Sequence, residues 1–304
     1  MSASVLNTGD AATRPGTDSF PQPDRYGSVM SISKNGFHRI AYVEWGDPQS
    51  DRVALCVHGL SRQGRDFDLW AAHLASRGWR VICPDLVGRG QSDWLRDPEE
   101  YNLPQYSIDM TVLIARLGVK KVTWIGTSLG GLIGMVVAGQ ADTPVSTLVV
   151  NDIGPFLPWQ ALHRLASSVR TSPHRFPDFP AALTFYRQSL APFGHLSDVE
   201  WDHLARHNVE QLADGSYRKY ADPEITAAFK PGWYFNLSLW STWDSIHCPV
   251  YGLRGAESDL LSTSIANEMG RRGPKATMVD IPECGHAPAL MADDQIALIT
   301  GWLE

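Results

Sequence analysis

The sequence predicts an α/β fold built on a doubly wound, mostly parallel β-sheet. Short apolar runs, typical of buried strands, alternate with segments of helical periodicity along most of the 304 residues. Strands and helices that alternate in this way form parallel sheets with right-handed crossovers. Residues 122–131 (VTWIGTSLGG) add a second observation, because an apolar strand pattern there changes abruptly into a helical one.

The predicted elements of the sheet and its helices are bounded by turn residues. Asn35-Gly36 marks a hairpin between the first two strands. The predicted strands are, in chain order, 29–32, 37–44, 52–58, 79–83, 122–125, 146–150, 249–254 and 276–281. The predicted helices cover 67–77, 106–117, the segment directly after residue 128, 264–271 and 294–303.

The alternation stops between residues 153 and 245. This region is rich in aromatic residues, has no strand pattern and interrupts a predicted core formed by residues 28–152 and 246–304, so we expect an inserted helical cap. Most of its rings should pack on one another. We predict that a few line an apolar pocket: Phe156, Trp159, Trp233 and Tyr234. The first 27 residues, rich in small polar residues, glycine and proline, predict a flexible tail.

Composition excludes several classes of function. The formal charge is −7 and no basic block is present, which disfavours a nucleic-acid partner. No apolar run approaches the ~20 residues that a membrane-spanning helix needs. The N-terminus lacks the basic start and apolar core of a secretion signal, so we expect a cytoplasmic protein. The four cysteines are widely spaced and indicate neither a disulfide framework nor a metal site.

The segment 126–130 (GTSLG) contains a candidate catalytic residue. A serine at a sharp strand-to-helix turn occupies strained backbone, and only small neighbours let the strand and the helix pass closely. The turn exposes the hydroxyl of Ser128 and places the next backbone N–H at the positive end of the following helix. Ser128 is therefore a candidate nucleophile.

With its flanking strand and helix, this motif resembles the nucleophile elbow of the α/β-hydrolases. From about Ser28 to the C-terminus the chain is similar to the serine branch of that family, which has a helical cap. The resemblance implies an eight-stranded, mostly parallel sheet and a reaction that needs no metal or organic cofactor. Epoxide hydrolases and haloalkane dehalogenases of this fold carry aspartate at the elbow, so the serine disfavours both chemistries.

The family order of serine, acid and histidine predicts the other members of a triad. His286, in a loop after the last predicted strand, matches the position of the base. Asp259, after the preceding strand, matches the usual position of the acid, with Glu257 as a close neighbour. Asp152, just past the sixth strand, is an alternative acid because some relatives place the carboxylate there. The acid would orient and stabilise the imidazole.

An oxyanion hole needs two N–H donors. The backbone of Leu129, directly after Ser128, would supply one, and Leu60 in the His58-Gly59-Leu60 turn would supply the other. The resemblance implies that His58 shapes this turn and that Asp85 and Arg89 brace the glycine-rich loop. His203 and His207 have helical spacing but lack a third ligand in the sequence, so no metal site is predicted.

We therefore expect a serine hydrolase that cleaves a carboxylic ester or lactone with a small to medium apolar acyl group. The alternative within the family is hydrolysis of a C–C bond in a vinylogous diketone, although those enzymes have more glycine in the third-strand loop. A different class is a ligand receptor that retains the triad and turns over slowly. Retained ligand binding in a Ser128→Ala variant would favour the receptor.

Overall fold

The protein folds around an eight-stranded β-sheet, and a computed structural model describes residues 20–227 and 235–304. The strands of the described residues are, in chain order, β1 (Arg25–Ser33), β2 (Gly36–Trp45), β3 (Val53–Val57), β4 (Arg80–Pro84), β5 (Val122–Thr127), β6 (Val145–Asn151), β7 (Phe156–Leu157), β8 (Arg175–Phe176), β9 (Val209–Gln211), β10 (Tyr217–Lys219), β11 (Leu237–Ser238), β12 (Val250–Gly255) and β13 (Thr277–Ile281). The order across the main sheet is β1-β2-β4-β3-β5-β6-β12-β13. β1 and β2 form the predicted hairpin, β2 pairs antiparallel with β4, and the remaining pairs are parallel. The predicted doubly wound sheet is thus confirmed.

Helices cover both faces of the sheet. They are α1 (Asp68–Ser76), α2 (Leu103–Leu117), α3 (Leu129–Ala138), α4 (Trp159–Thr171), α5 (Phe179–Ser189), α6 (Asp198–His207), α7 (Trp240–Asp244), α8 (Thr263–Met269) and α9 (Asp293–Leu303), with 3₁₀ turns at Gly64–Phe67, Pro98–Glu100 and Ala191–Phe193. One apolar core includes residues of α2, α3 and α8, and the core on the other face includes residues of α1 and α9. Burial of these apolar faces provides the main favourable term in folding.

The parallel register brings the carboxyl ends of three central strands together. Thr127 at the end of β5 lies opposite Asn151 at the end of β6. Asn151 in turn lies opposite Leu253 of β12. Residues that follow these strands therefore emerge side by side at one edge of the sheet, where open α/β sheets bind ligands.

The inserted region between β6 and β12 combines helices with short strands. β8, β10 and β9 form a three-stranded sheet, and β7 pairs with β11. The prediction that residues 153–245 contain no strands is therefore wrong. Each strand has only two or three residues, which is too short to produce an alternating apolar pattern.

Regular structure begins nearer the N-terminus than the sequence suggests. β1 begins at Arg25, inside the range predicted as a tail, and its guanidinium pairs with Glu44 of β2. Phe20 is buried, and its ring stacks on His203 of α6 at 3.7 Å. Residues 1–19 of the predicted tail lie outside the described residues. No helix within the described ranges is long and apolar enough to cross a membrane.

Candidate active site

Ser128 lies at the turn between β5 and α3 with φ 51° and ψ −113°. A positive φ is unfavourable for a serine, so the surrounding contacts must hold it. Its backbone N–H donates to the carbonyl of Asn151 at 3.0 Å, and a side chain on Gly130 would collide with the carbonyl of Val57. A Cβ on Gly126 would likewise overlap the backbone of Gly130. The two glycines are thus required by close backbone approach, as the motif predicts.

His286 contacts the hydroxyl of Ser128. The ring atom Nε2 lies 2.9 Å from Oγ of Ser128, and Nδ1 lies 2.7 Å from Oδ2 of Asp152. A carboxylate only accepts hydrogen bonds, so Nδ1 carries the proton and Nε2 accepts the serine hydroxyl. The side chain of His286 is 16% exposed and that of Asp152 is fully buried. The three side chains form one hydrogen-bonded chain that leads from the carboxylate to the hydroxyl.

The prediction that Asp259 is the partner of His286 is wrong. The side chain of Asp259 is 63% exposed and forms an ion pair with Arg164 of α4 at 2.7 Å. Asp152 takes its place because β6 ends beside β5, so the first residue after β6 emerges next to Ser128. Asp259 instead lies four positions beyond the end of β12, and the loop directs Ser258 toward the site.

Other groups fix the carboxylate of Asp152. Its Oδ1 accepts the backbone N–H of Gly255 at 2.8 Å, and its Oδ2 accepts the hydroxyl of Ser258 at 2.6 Å. Asn151 links the elbow to the histidine loop, because its amide donates to the carbonyl of Pro288 at 2.8 Å. Ser258 and Asn151 were missed by sequence reasoning. Only their positions could have indicated them, because Asn151 ends β6, which pairs with the elbow strand, and Ser258 follows the end of β12, which pairs with β6.

The two predicted oxyanion donors lie on either side of the serine turn. Leu129 is the first residue of α3, where backbone N–H groups lack partners within the helix. A Cβ on Gly59 would lie 3.6 Å from Cβ of Ser128, so the turn that contains Leu60 packs directly against the serine. Across the described part of the chain, neither the N–H of Leu60 nor that of Leu129 donates to a protein acceptor. Both remain candidate donors to a ligand.

His58 connects the turn that contains Leu60 to the loop after β4. Its Nε2 accepts the N–H of Leu86 at 2.9 Å, and its Nδ1 donates to the carbonyl of Gly59 at 2.7 Å. Burial lowers the pKa of His58 to about 3, with the charges of Arg89 and Arg62 adding to the effect. The imidazole is therefore neutral and structural, in agreement with the role that the resemblance implied.

Arg89 and Asp85 brace the glycine-rich loop after β4. The buried Arg89 donates from Nε to the carbonyl of Leu60 at 2.8 Å and from Nη1 to the hydroxyl of Tyr106 at 2.8 Å. The carboxylate of Asp85 accepts the N–H groups of Gly64 and Gln91 at 2.7 and 2.8 Å. Burial raises the pKa of Asp85 to about 6. These contacts agree with the bracing role inferred from the sequence.

The structure describes two of the four aromatic residues predicted to line the pocket. Phe156 of β7 lines a groove of about 640 Å³ with Trp240 and Ile265, and neither Ser128 nor His286 is among its lining residues. Trp159 begins α4, and its ring packs edge-on against His163. Trp233 and Tyr234 lie outside the described residues. The structure therefore does not bring Phe156 to the serine.

One group of three side chains has the spacing of a possible metal site. Ligand atoms of Asp68, His203 and His207 lie within 4.8 Å of one another. Asp68, however, is paired with Arg65 at 2.6 Å, and Nε2 of His203 lies 2.9 Å from the carbonyl of Arg65. Burial raises the pKa of Asp68 to about 7, although Arg65 opposes the shift. A cation would have to compete with the guanidinium of Arg65, so these contacts are those of a buried polar cluster.

Comparison with known proteins agrees with the fold. Residues 54–296 match the family model of the alpha/beta hydrolase fold. A 3-hydroxybutyrate-oligomer hydrolase of Cupriavidus necator is 42% identical, over 90% of this chain and 96% of its own. An esterase of Mycobacterium tuberculosis is 26% identical, over 90% and 88%. The solved structure of an alpha/beta hydrolase from Novosphingobium aromaticivorans has a TM-score of 0.78 and 31% identity, and covers 91% of this chain and 98% of its own.

Proposed function

Because this chain is an enzyme of the α/β-hydrolase family, we propose that it cleaves carboxylic esters through Ser128, His286 and Asp152. The hydrogen-bonded chain between these side chains is the observation that carries the proposal. A serine hydroxyl is a weak nucleophile at neutral pH and needs a base within hydrogen-bond distance. His286 meets this requirement, and the buried carboxylate of Asp152 fixes its tautomer.

The reaction follows from these positions. Nε2 of His286 removes the proton of Ser128 as Oγ attacks the ester carbonyl, and Asp152 stabilises the resulting imidazolium. The N–H groups of Leu129 and Leu60 donate to the oxyanion. His286 then protonates the leaving alcohol, and an acyl-serine remains. A water molecule, deprotonated by His286, hydrolyses this intermediate and releases the acid.

We propose that residues 153–245 form the cap of this site. Two backbone hydrogen bonds connect the inserted region to the histidine loop: the N–H of Gly285 donates to Pro192 at 2.7 Å, and the N–H of Ala289 donates to Phe193 at 3.2 Å. The 3₁₀ turn Ala191–Phe193 therefore packs directly on the loop that carries His286. A covering segment would limit access of water and select the substrate.

The proposed substrates are short linear esters of hydroxy acids, of the type named for the relative from Cupriavidus necator. That relative matches nearly the whole chain at 42% identity, which supports a similar substrate class. In place of the lactone and C–C bond hydrolysis that the sequence left open as alternatives, this proposal makes a definite expectation: release of 3-hydroxybutyrate from its linear dimer and trimer.

Initial rates on p-nitrophenyl esters of increasing acyl length and on the 3-hydroxybutyrate dimer test this proposal. We expect turnover of both substrate types by the wild type and none by Ser128→Ala. A wild type as inactive as Ser128→Ala on all of these esters would contradict the proposed function. Turnover of p-nitrophenyl esters without turnover of the dimer would contradict only the proposed substrate class.

A further inference from the structure

Arg62 lies beside the proposed nucleophile. Its side chain is only 6% exposed. A Cβ on Gly59 would lie 3.6 Å from Cβ of Ser128 and 3.8 Å from Cγ of Arg62, so the serine and the arginine flank the same glycine. The guanidinium carbon lies 5.8 Å from the ring centre of Phe193, a residue whose carbonyl accepts the N–H of Ala289 from the histidine loop. Arg62 therefore lies between the oxyanion turn and the covering segment.

The guanidinium of Arg62 has one nitrogen left for a ligand. Nε and Nη2 donate to the two carboxylate oxygens of Asp66 at 2.6 and 2.8 Å. Nη1 is buried and has no hydrogen-bond partner among the described residues. Buried polar groups are nearly always hydrogen-bonded in native proteins, and a charge-assisted bond from a guanidinium N–H to a carboxylate is a strong one. The free nitrogen therefore points to an acceptor that residues 20–227 and 235–304 do not provide.

A second cation lies close to Arg62. Lys219 of β10 feels the charge of Arg62, and its ammonium is bonded to the hydroxyl of Ser172 and lies 4.4 Å over the ring of Phe185. Burial, aided by the charge of Arg62, lowers the pKa of Lys219 to about 8. The charge of Lys219 therefore adds to that of Arg62, and a bound anion near the two side chains would be favourable.

We propose that Arg62 binds the terminal carboxylate of the substrate, so that the enzyme prefers hydroxy-acid esters with a free carboxyl end. This inference rests on the proposed ester hydrolysis at Ser128. In a linear hydroxy-acid oligomer, the free carboxylate always lies on the alcohol side of the ester bonds. Nη1 of Arg62 would hold this group while Ser128 attacks the neighbouring ester, and the terminal hydroxy acid would leave with its carboxylate.

The test compares the linear 3-hydroxybutyrate dimer with the same dimer whose terminal carboxylate is replaced by a primary amide. The two substrates share the scissile ester and differ in one charge. For the wild type we expect kcat/KM to be at least tenfold higher with the acid than with the amide, mainly through KM. A wild type with no preference for the acid would overturn the inference.

Three variants separate carboxylate binding from a structural role. In Arg62→Gln the preference for the acid should disappear, because kcat/KM for the acid should fall to the value that the same variant shows with the amide. Arg62→Gln combined with Asp66→Asn removes both charges together and should show the same loss if the single variant folds poorly. Arg65→Gln is the matched control, because Arg65, three residues further along the chain, is another largely buried arginine and is paired with Asp68, and it should keep the acid preference. An unchanged ratio in the Arg62 variants would overturn the inference.

The outcomes also separate this inference from the proposed function. If neither the dimer nor p-nitrophenyl acetate is cleaved by a route that Ser128→Ala abolishes, the proposed function itself fails. If both are cleaved at Ser128 but the ratio of acid to amide does not depend on Arg62, only the carboxylate site fails. Competitive inhibition of the wild type by butyrate and not by butyramide gives an independent readout that needs no variant.

Discussion

The carboxylate of Asp152 lies 2.7 Å from Nδ1 of His286, whereas Asp259, four residues past the end of β12, is paired with Arg164 at the surface. Asp152 is fully buried and its oxygens also accept the N–H of Gly255 and the hydroxyl of Ser258. A carboxylate with this many fixed donors keeps its position, and it can therefore orient the imidazole before a substrate binds.

Ser258→Ala should weaken catalysis without abolishing it. The hydroxyl of Ser258 donates to Oδ2 of Asp152, the same oxygen that contacts His286. Loss of one hydrogen bond worth about 1 kcal/mol should lower kcat about fivefold. Ser262→Ala is the control, because it removes the N-terminal cap of α8 and should reduce stability while kcat stays unchanged. Equal kcat values for Ser258→Ala and the wild type would contradict this account.

Arg89→Lys should disturb the oxyanion turn. A lysine ammonium cannot reproduce the separate bonds from Nε to Leu60 and from Nη1 to Tyr106. We expect kcat to fall about tenfold with little change in KM, because the N–H of Leu60 acts mainly on the transition state. Steady-state kinetics measure this split. Tyr106→Phe removes only one of these partners and should have the smaller effect; the opposite ranking would argue against bracing through Leu60.

Gly130→Ala should destabilise the fold at the elbow. The added methyl group would collide with the carbonyl of Val57, and backbone on both sides cannot move aside. Overpacking at such a position should cost about 3 kcal/mol or more of unfolding free energy. Gly301→Ala in α9 is the control, since a Cβ there meets nothing within 4 Å, and it should gain up to about 1 kcal/mol. Thermal unfolding of the two variants measures the contrast, and similar melting temperatures would contradict it.

Folding stability should fall at acid pH partly because of His58. The pKa of its buried imidazole is about 3 in the folded protein, against about 6.5 in the unfolded chain. The unfolded state therefore binds the proton first, and stability is lost as pH falls from about 6.5 toward 3. At pH 5 this single group should cost about 2 kcal/mol.

His58→Gln isolates this contribution. Glutamine can accept the N–H of Leu86 and donate to the carbonyl of Gly59, as His58 does, but it does not titrate. Urea unfolding between pH 5 and 7 should give a smaller pH dependence for the variant than for the wild type. Parallel stability curves for the two proteins would show that His58 does not contribute to acid sensitivity.

The strands and helices of the core could be predicted from the sequence because the buried strands are continuous apolar runs and the helices have a helical apolar period. Apolar runs predicted every strand of the main sheet, and the motif around Ser128 predicted the elbow from backbone crowding alone. The strands and the elbow are local features, so neighbouring residues in the chain are sufficient to specify them. His286 was predicted from the resemblance to the α/β-hydrolases, whose order of serine, acid and histidine places the base after the last strand.

The acid and the pocket depend on contacts between distant segments. Asp152 and Asp259 both follow strands that end at the same edge of the sheet, and only the register of β6 beside β5 decides between them. Arg62 is similar, because only the structure shows that its Nη1 is buried without a partner among the described residues and that Phe193 of the inserted region lies close by. The short strands of the inserted region arise from pairing with one another and leave no period in the sequence.

The most direct test of the proposed triad is the kcat of Asp152→Asn beside that of Asp259→Asn, on an ester that the wild type cleaves. Asparagine at 152 would present an amide where Nδ1 of His286 needs an acceptor, so kcat should fall by about 10³–10⁴-fold. Asp259→Asn removes only an exposed ion pair and should retain wild-type kcat. Nearly full activity of Asp152→Asn together with loss of activity in Asp259→Asn would contradict the account.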